Sequence, residues 1–151
     1  MKKPPKPRFT PEQELLLWAI RIDHAKDQRI AEILKAGVDW NYVRKTAIQH
    51  GIIPLLYKRL KEEMSDHVPP GELAELRTLF LANAVHNIRL TQQLLKILDL
   101  LADASVEAIP FKGPALAVQA YGDISMRSFC DYDLLFRETD FDRVYEILLF
   151  N

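Results

Sequence analysis

The stretch Arg127-Ser128-Phe129-Cys130-Asp131-Tyr132-Asp133-Leu134-Leu135-Phe136 sets two carboxylates two residues apart in an otherwise apolar run. Read as a strand over 129–136, it points Asp131 and Asp133 to one side, about 6.6 Å apart along the chain. Cys130, Tyr132, Leu134 and Phe136 then face the opposite side and fill a core. Two carboxylates side by side in apolar surroundings are costly unless something neutralises them. A hard divalent cation, Mg²⁺ or Mn²⁺, would do so and would share its remaining positions with a substrate phosphate. A wet strand edge, with Arg127 or Lys112 as the partner, is the other solution.

Upstream, Val106 to Phe111 is short and partly β-branched and reads as a first strand, with Pro110 confining it to an edge or an end. It runs into Lys112-Gly113-Pro114, a turn that opens a helix reaching about Tyr121. Gly113 lets the backbone approach a phosphate, and the helix offers its N-terminal amides. Lys112 adds a point charge for a phosphate oxygen. Strand, Lys-Gly turn, helix and Asp-x-Asp is an order suited to phosphoryl-type chemistry.

The segment FKGPALAVQAYGDISMRSFCDYDLLF resembles the polymerase-β-like nucleotidyltransferase superfamily. It is most similar to a bacterial branch in which a Lys-Gly turn precedes an Arg-x-x-x-Asp-x-Asp-Leu-Leu strand. Nucleotidyltransferase-like toxins of toxin–antitoxin and abortive-infection systems share the layout. By this resemblance Gly113 is the glycine of the nucleotide-cradling turn, and Asp131 and Asp133 are the metal-binding pair. Lys112 and Arg127 match basic positions of the branch. The resemblance implies metal-dependent transfer of a nucleoside monophosphate from an NTP to an acceptor hydroxyl, with two metal ions assisting. The acceptor, whether protein, RNA or small molecule, is left open.

The match spans about residues 105–136, and two positions depart from the pattern. Pro114 removes an amide that Gly-Ser or Gly-Gly turns keep, and no third carboxylate follows the second strand at the family's usual distance. The chain is therefore expected to be the N-terminal part of a longer nucleotidyltransferase, or one piece of an oligomer. The alternative is a non-catalytic binding module on the same scaffold, or a helical partner-binding domain.

The elements that must position these residues are mostly helical. Residues 1–9 form a basic, Pro-rich tail. Thr10-Pro11-Glu12-Gln13 carries a capping-box pattern for a first helix. Asp27 to Ala36 reads as a second helix. Asp39 caps a third, with Trp40, Val43, Ala47 and Ile48 inward, and Pro54 opens a fourth. After Pro69-Pro70-Gly71, residues 72–104 read as one long helix or two with a kink, with Asn83, His86 and Asn87 as a polar patch. That patch reads as a solvated face, with a cleft lining as the alternative. Glu138 or Thr139 starts a last helix with Phe141, Val144, Tyr145, Leu148 and Leu149 on one side. The expected fold is α+β and mostly helical: a helical subdomain over 10–104, then over 105–151 the first strands of a nucleotidyltransferase-type mixed sheet.

Composition excludes other classes. Of 151 residues 48% are hydrophobic, ample for a core. One cysteine rules out an internal disulfide, and no apolar run reaches the length of a membrane span. A cytoplasmic protein without a membrane partner is the expectation. The net charge of −1 conceals a basic front: residues 1–60 hold 12 Lys+Arg against 6 Asp+Glu. His24, His50, His67 and His86 show no metal-ligand spacing. Cys130 reads as a buried, inert thiol, Trp18, Trp40 and Tyr42 as core packing, and Ser125 and Ser128 as loop residues.

Overall fold

The computed structural model describes residues 9–22 and 28–150. The tail residues 1–8, the start assigned to the second helix at Asp27, and His24 lie outside the described residues. The chain forms two compact units, Met1–Phe80 and Leu81–Asn151, and the division falls inside a long helix.

The first unit is built from short helices: α1 (Pro11–Ala19), α2 (Gln28–Ala36), α3 (Trp40–Gln49) and α4 (Ile53–Glu63). Its start follows from Thr10, whose hydroxyl accepts from the Gln13 amide while the Gln13 side chain accepts from the Thr10 amide. Asp39 likewise caps α3 by accepting from the Tyr42 amide at 3.0 Å. The core gathers Leu15, Trp18, Ile30, Ile33, Val43, Ala47, Leu56, Leu60 and Leu76. Ile48, expected to face inward, is exposed. Tyr42, expected in the core, instead lines a groove of about 740 Å³ with Leu17, Ile20 and His50. Trp18 is buried as expected, and Trp40 is half-buried against the core.

Glu12 ties α1 to α3, because its Oε1 accepts from the Asp39 amide at 3.2 Å. Hydrogen bonds from its own amide, from that of Asp39 and from the Thr10 side chain hold its carboxyl below the ordinary 4.5. A lowered carboxyl contributes stability that is present above the unfolded value and lost as pH falls through the folded one. The stability difference between the wild type and Glu12→Gln, read from urea midpoints, should be constant above about pH 5 and shrink below pH 4.5.

The long helix α5 (Pro70–Asp103) runs 34 residues without a break. Beyond it the second unit holds β1 (Ala108–Pro110), α6 (Pro114–Tyr121), β2 (Leu134–Phe136) and α7 (Phe141–Phe150), with single 3₁₀ turns at Ile124–Met126 and Glu138–Asp140. Its small core is Leu101, Val106 and Val144, joined by Ile97, Ala108, Leu134, Phe136 and Ile147. The fold is thus α+β and mostly helical, and its two strands pair antiparallel in the register Ala108 to Phe136, Ile109 to Leu135 and Pro110 to Leu134. Among the described residues no helix is long and apolar enough to cross a membrane.

Two expectations for this unit are corrected. The second strand covers Leu134–Phe136, not 129–136. Its partner leaves the sheet at Gly113 to begin α6, so Phe129 to Tyr132 have no strand to pair with. Without pairing, strict alternation of faces does not hold, and Cys130 is exposed rather than buried. On α7, Val144 is buried, but Phe141, Tyr145, Leu148 and Leu149 are exposed.

Candidate metal and nucleotide site

Register places the candidate residues. With Pro110 opposite Leu134, one further step sets Phe111 opposite Asp133, and the Phe111 amide donates to the Asp133 carbonyl at 3.2 Å. Beyond the end of the sheet, Gly113 lies against the Asp131 backbone. A Cβ added at Gly113 would lie 3.4 Å from the Asp131 carbonyl oxygen and 3.9 Å from Phe129 Cδ2. The Lys-Gly turn and the Asp-x-Asp segment therefore meet in space. Diagonally across the pair, Lys112 Nζ donates to Asp133 Oδ1 at 3.4 Å.

Gly113 has φ 55° and ψ −126°, a conformation that a side chain disfavours. It is the N-cap of α6, no side chain caps that helix end, and Pro114 occupies the first helical position. The loss of one amide to Pro114 leaves those of Ala115 and Leu116 in the first turn. Gly113→Ala is expected to cost about 1–3 kcal/mol through backbone strain, measured by urea denaturation.

The two aspartates differ in setting. Asp131 is exposed, and its carboxylate makes no hydrogen bond or ion pair among the described residues. Asp133 is half-buried and pairs with Lys112, whose side chain is 50% exposed. Such an exposed pair is worth about 0–1 kcal/mol, so Lys112 can exchange it for another anion at little cost. Between them Tyr132 donates its hydroxyl to Gln93 Oε1 at 2.9 Å, and burial pushes its pKa up, keeping the phenol neutral.

Among the described residues no three or more His, Cys, Asp or Glu side chains gather to hold a metal. The donor set is two carboxylates. That suits Mg²⁺, which typically takes one or two protein carboxylates and completes its shell with water and substrate phosphate.

Arg127 is not joined to either aspartate by a hydrogen bond or ion pair. Its backbone carbonyl is held by Asn87, and its Nη1 is buried without a hydrogen-bond partner among the described residues. Ser128, read as a loop residue, donates its hydroxyl to Asn83 Oδ1 at 2.8 Å.

The polar patch on α5, expected as a solvated face, is so only in part. His86 is exposed, but Asn83 is half-buried and Asn87 fully buried, and both bond the segment that leads to Asp131. Their i, i+4 spacing was the available signal, since it puts both amides on one helix face.

A family model described as an uncharacterised nucleotidyltransferase matches residues 36–151. No curated protein and no solved structure matches the chain. The matched range includes Lys112, Gly113, Arg127, Asp131 and Asp133 and covers well over half the sequence, so the chain belongs to this uncharacterised nucleotidyltransferase family.

Proposed function

We propose that the chain binds an NTP with Mg²⁺ or Mn²⁺ and transfers its nucleoside monophosphate to an acceptor hydroxyl. The observation that carries this reading is the meeting of the Lys-Gly turn with the Asp-x-Asp segment: Gly113 lies against the Asp131 backbone and Lys112 is 3.4 Å from Asp133. Asp131 and Asp133 are the metal ligands. Gly113 and the first-turn amides of α6 receive phosphate oxygens. Lys112 turns from Asp133 to a phosphate, and Arg127 balances charge nearby.

In the reaction the acceptor oxygen bonds to the α-phosphorus, the bond from that phosphorus to the bridging oxygen breaks, and pyrophosphate leaves. The acceptor hydroxyl gives up its proton to solvent water. Metal bound at the two carboxylates would supply Lewis-acid neutralisation of the phosphate charge. The protein's own part is to fix the triphosphate beside the acceptor and to offer donors placed before the reaction begins.

A second reading takes both aspartates as ordinary surface charges, and the Lys112 pair, which already neutralises Asp133, favours it. Melting with Mg²⁺ and each of the four NTPs in turn separates the two, because a ligand that binds only the native state must raise the transition. A rise with at least one NTP, dependent on Mg²⁺, is the expected result. No rise with any at millimolar concentration would leave the surface-charge reading standing.

A further inference from the structure

We infer that Asn83 and Asn87, one turn apart on α5, are positioning residues for the metal and nucleotide site. They hold residues 124–128 so that Asp131 is presented to Gly113. This inference rests on the reading of Asp131 and Asp133 given above.

Asn87 has no exposed surface. Its Nδ2 donates to the Ile124 carbonyl at 2.6 Å and to the Arg127 carbonyl at 2.7 Å, spanning the 3₁₀ turn from end to end. Asn83 works between those points: its Nδ2 donates to the Ser125 carbonyl at 3.0 Å, and its Oδ1 accepts from the Ser128 hydroxyl. Two side chains thus bind four of the five residues in the segment.

The segment needs such partners. It has no strand beside it, and buried carbonyls without donors are costly. A carboxamide offers two N–H donors in one plane, which aspartate, serine and leucine cannot. Asn87 Oδ1 is buried without a hydrogen-bond partner among the described residues, so it is the two Nδ2 bonds that favour an amide over an apolar residue at this contact.

The step from clamp to site is short. Phe129 directly follows Ser128, is buried, and lies 3.9 Å from where a Gly113 Cβ would be. Asp131 is two residues further on. Slack in 124–128 would pass through Phe129 to the Asp131 carbonyl and change where its carboxylate sits relative to the turn. Groups that orient metal ligands in this indirect way typically affect metal affinity about 10–100-fold.

Cys130 provides the probe, being the single cysteine of the chain and exposed. A nitroxide attached there reports the mobility of the segment, and Mn²⁺ bound at the neighbouring aspartates broadens its spectrum. Asn87→Leu fills a similar volume without donors, and Asn83→Ala removes the half-buried member should the first fail to fold. The expected result is a more mobile label and a Mn²⁺ dissociation constant raised about 10–100-fold at unchanged helix content. Wild-type Mn²⁺ broadening that persists with equal affinity and equal label mobility in the variants would overturn the positioning role alone. No broadening in the wild type, or broadening that survives in Asp131→Asn/Asp133→Asn, would overturn the site reading and this inference with it.

Discussion

Asp131→Asn/Asp133→Asn is expected to abolish the Mg²⁺-dependent stabilisation by NTP while leaving the unliganded protein nearly as stable as before. The substitution keeps shape and removes both charges, so its effect on binding is electrostatic. At a free nucleotide concentration of about 100 times the dissociation constant, the lost stabilisation is about 2.7 kcal/mol. For a chain of this size that corresponds to a melting shift of about 5–10 °C. The unliganded protein loses only the exposed Lys112–Asp133 pair, worth about 0–1 kcal/mol. A variant that retains the full NTP-dependent rise would show that these carboxylates do not hold the metal.

The largest effect on stability itself is expected at Arg59. This arginine is 5% exposed, and its guanidinium donates to the carbonyls of Trp18 and Arg21, near the end of α1. It also pairs with Glu63 at 3.2 Å, one turn along α4, and lies 4.4 Å from the centre of the Trp18 ring. Arg59→Met would keep the apolar stem but remove the guanidinium's bonds to the two carbonyls and to Glu63. Taking the donor from one buried and one part-buried carbonyl costs about 2–4 kcal/mol, to which the part-buried pair with Glu63 adds little. Urea denaturation should register that loss, and Arg59→Met/Glu63→Leu should recover only the share due to Glu63, because the Trp18 and Arg21 carbonyls still lack their donor. A loss below about 1 kcal/mol in the single variant would mean that water replaces the guanidinium at no cost.

What pattern could reveal was what is encoded locally. The Thr10 capping box and the Asp39 cap were legible because their bonds close within three residues. The long helix was legible from the absence of Gly and Pro after residue 71, and the Lys112-Gly113 turn from its residue types. The length of β2 was not legible, because a strand extends only as far as its partner does, and here the partner turns away at Gly113. Cys130 was misplaced for the same reason. Asn87 looked like a surface residue because its partners are carbonyls 37 and 40 positions away, and nothing near it in sequence announces them. Arg59 was overlooked because a cation on a short helix ordinarily faces water.

The proposed metal and nucleotide site lies between Asp131, Asp133 and the Gly113 turn. Titration of the wild-type protein with Mn²⁺, with and without a non-hydrolysable NTP analogue, tests it most directly. A metal that bridges protein carboxylates and nucleotide phosphate is held by both, and the coupling between the two ligands is the same whichever is added first. The analogue is expected to tighten Mn²⁺ binding by about 10-fold or more, a coupling of about 1.4 kcal/mol. Mn²⁺ affinity that is the same with and without the analogue would contradict it.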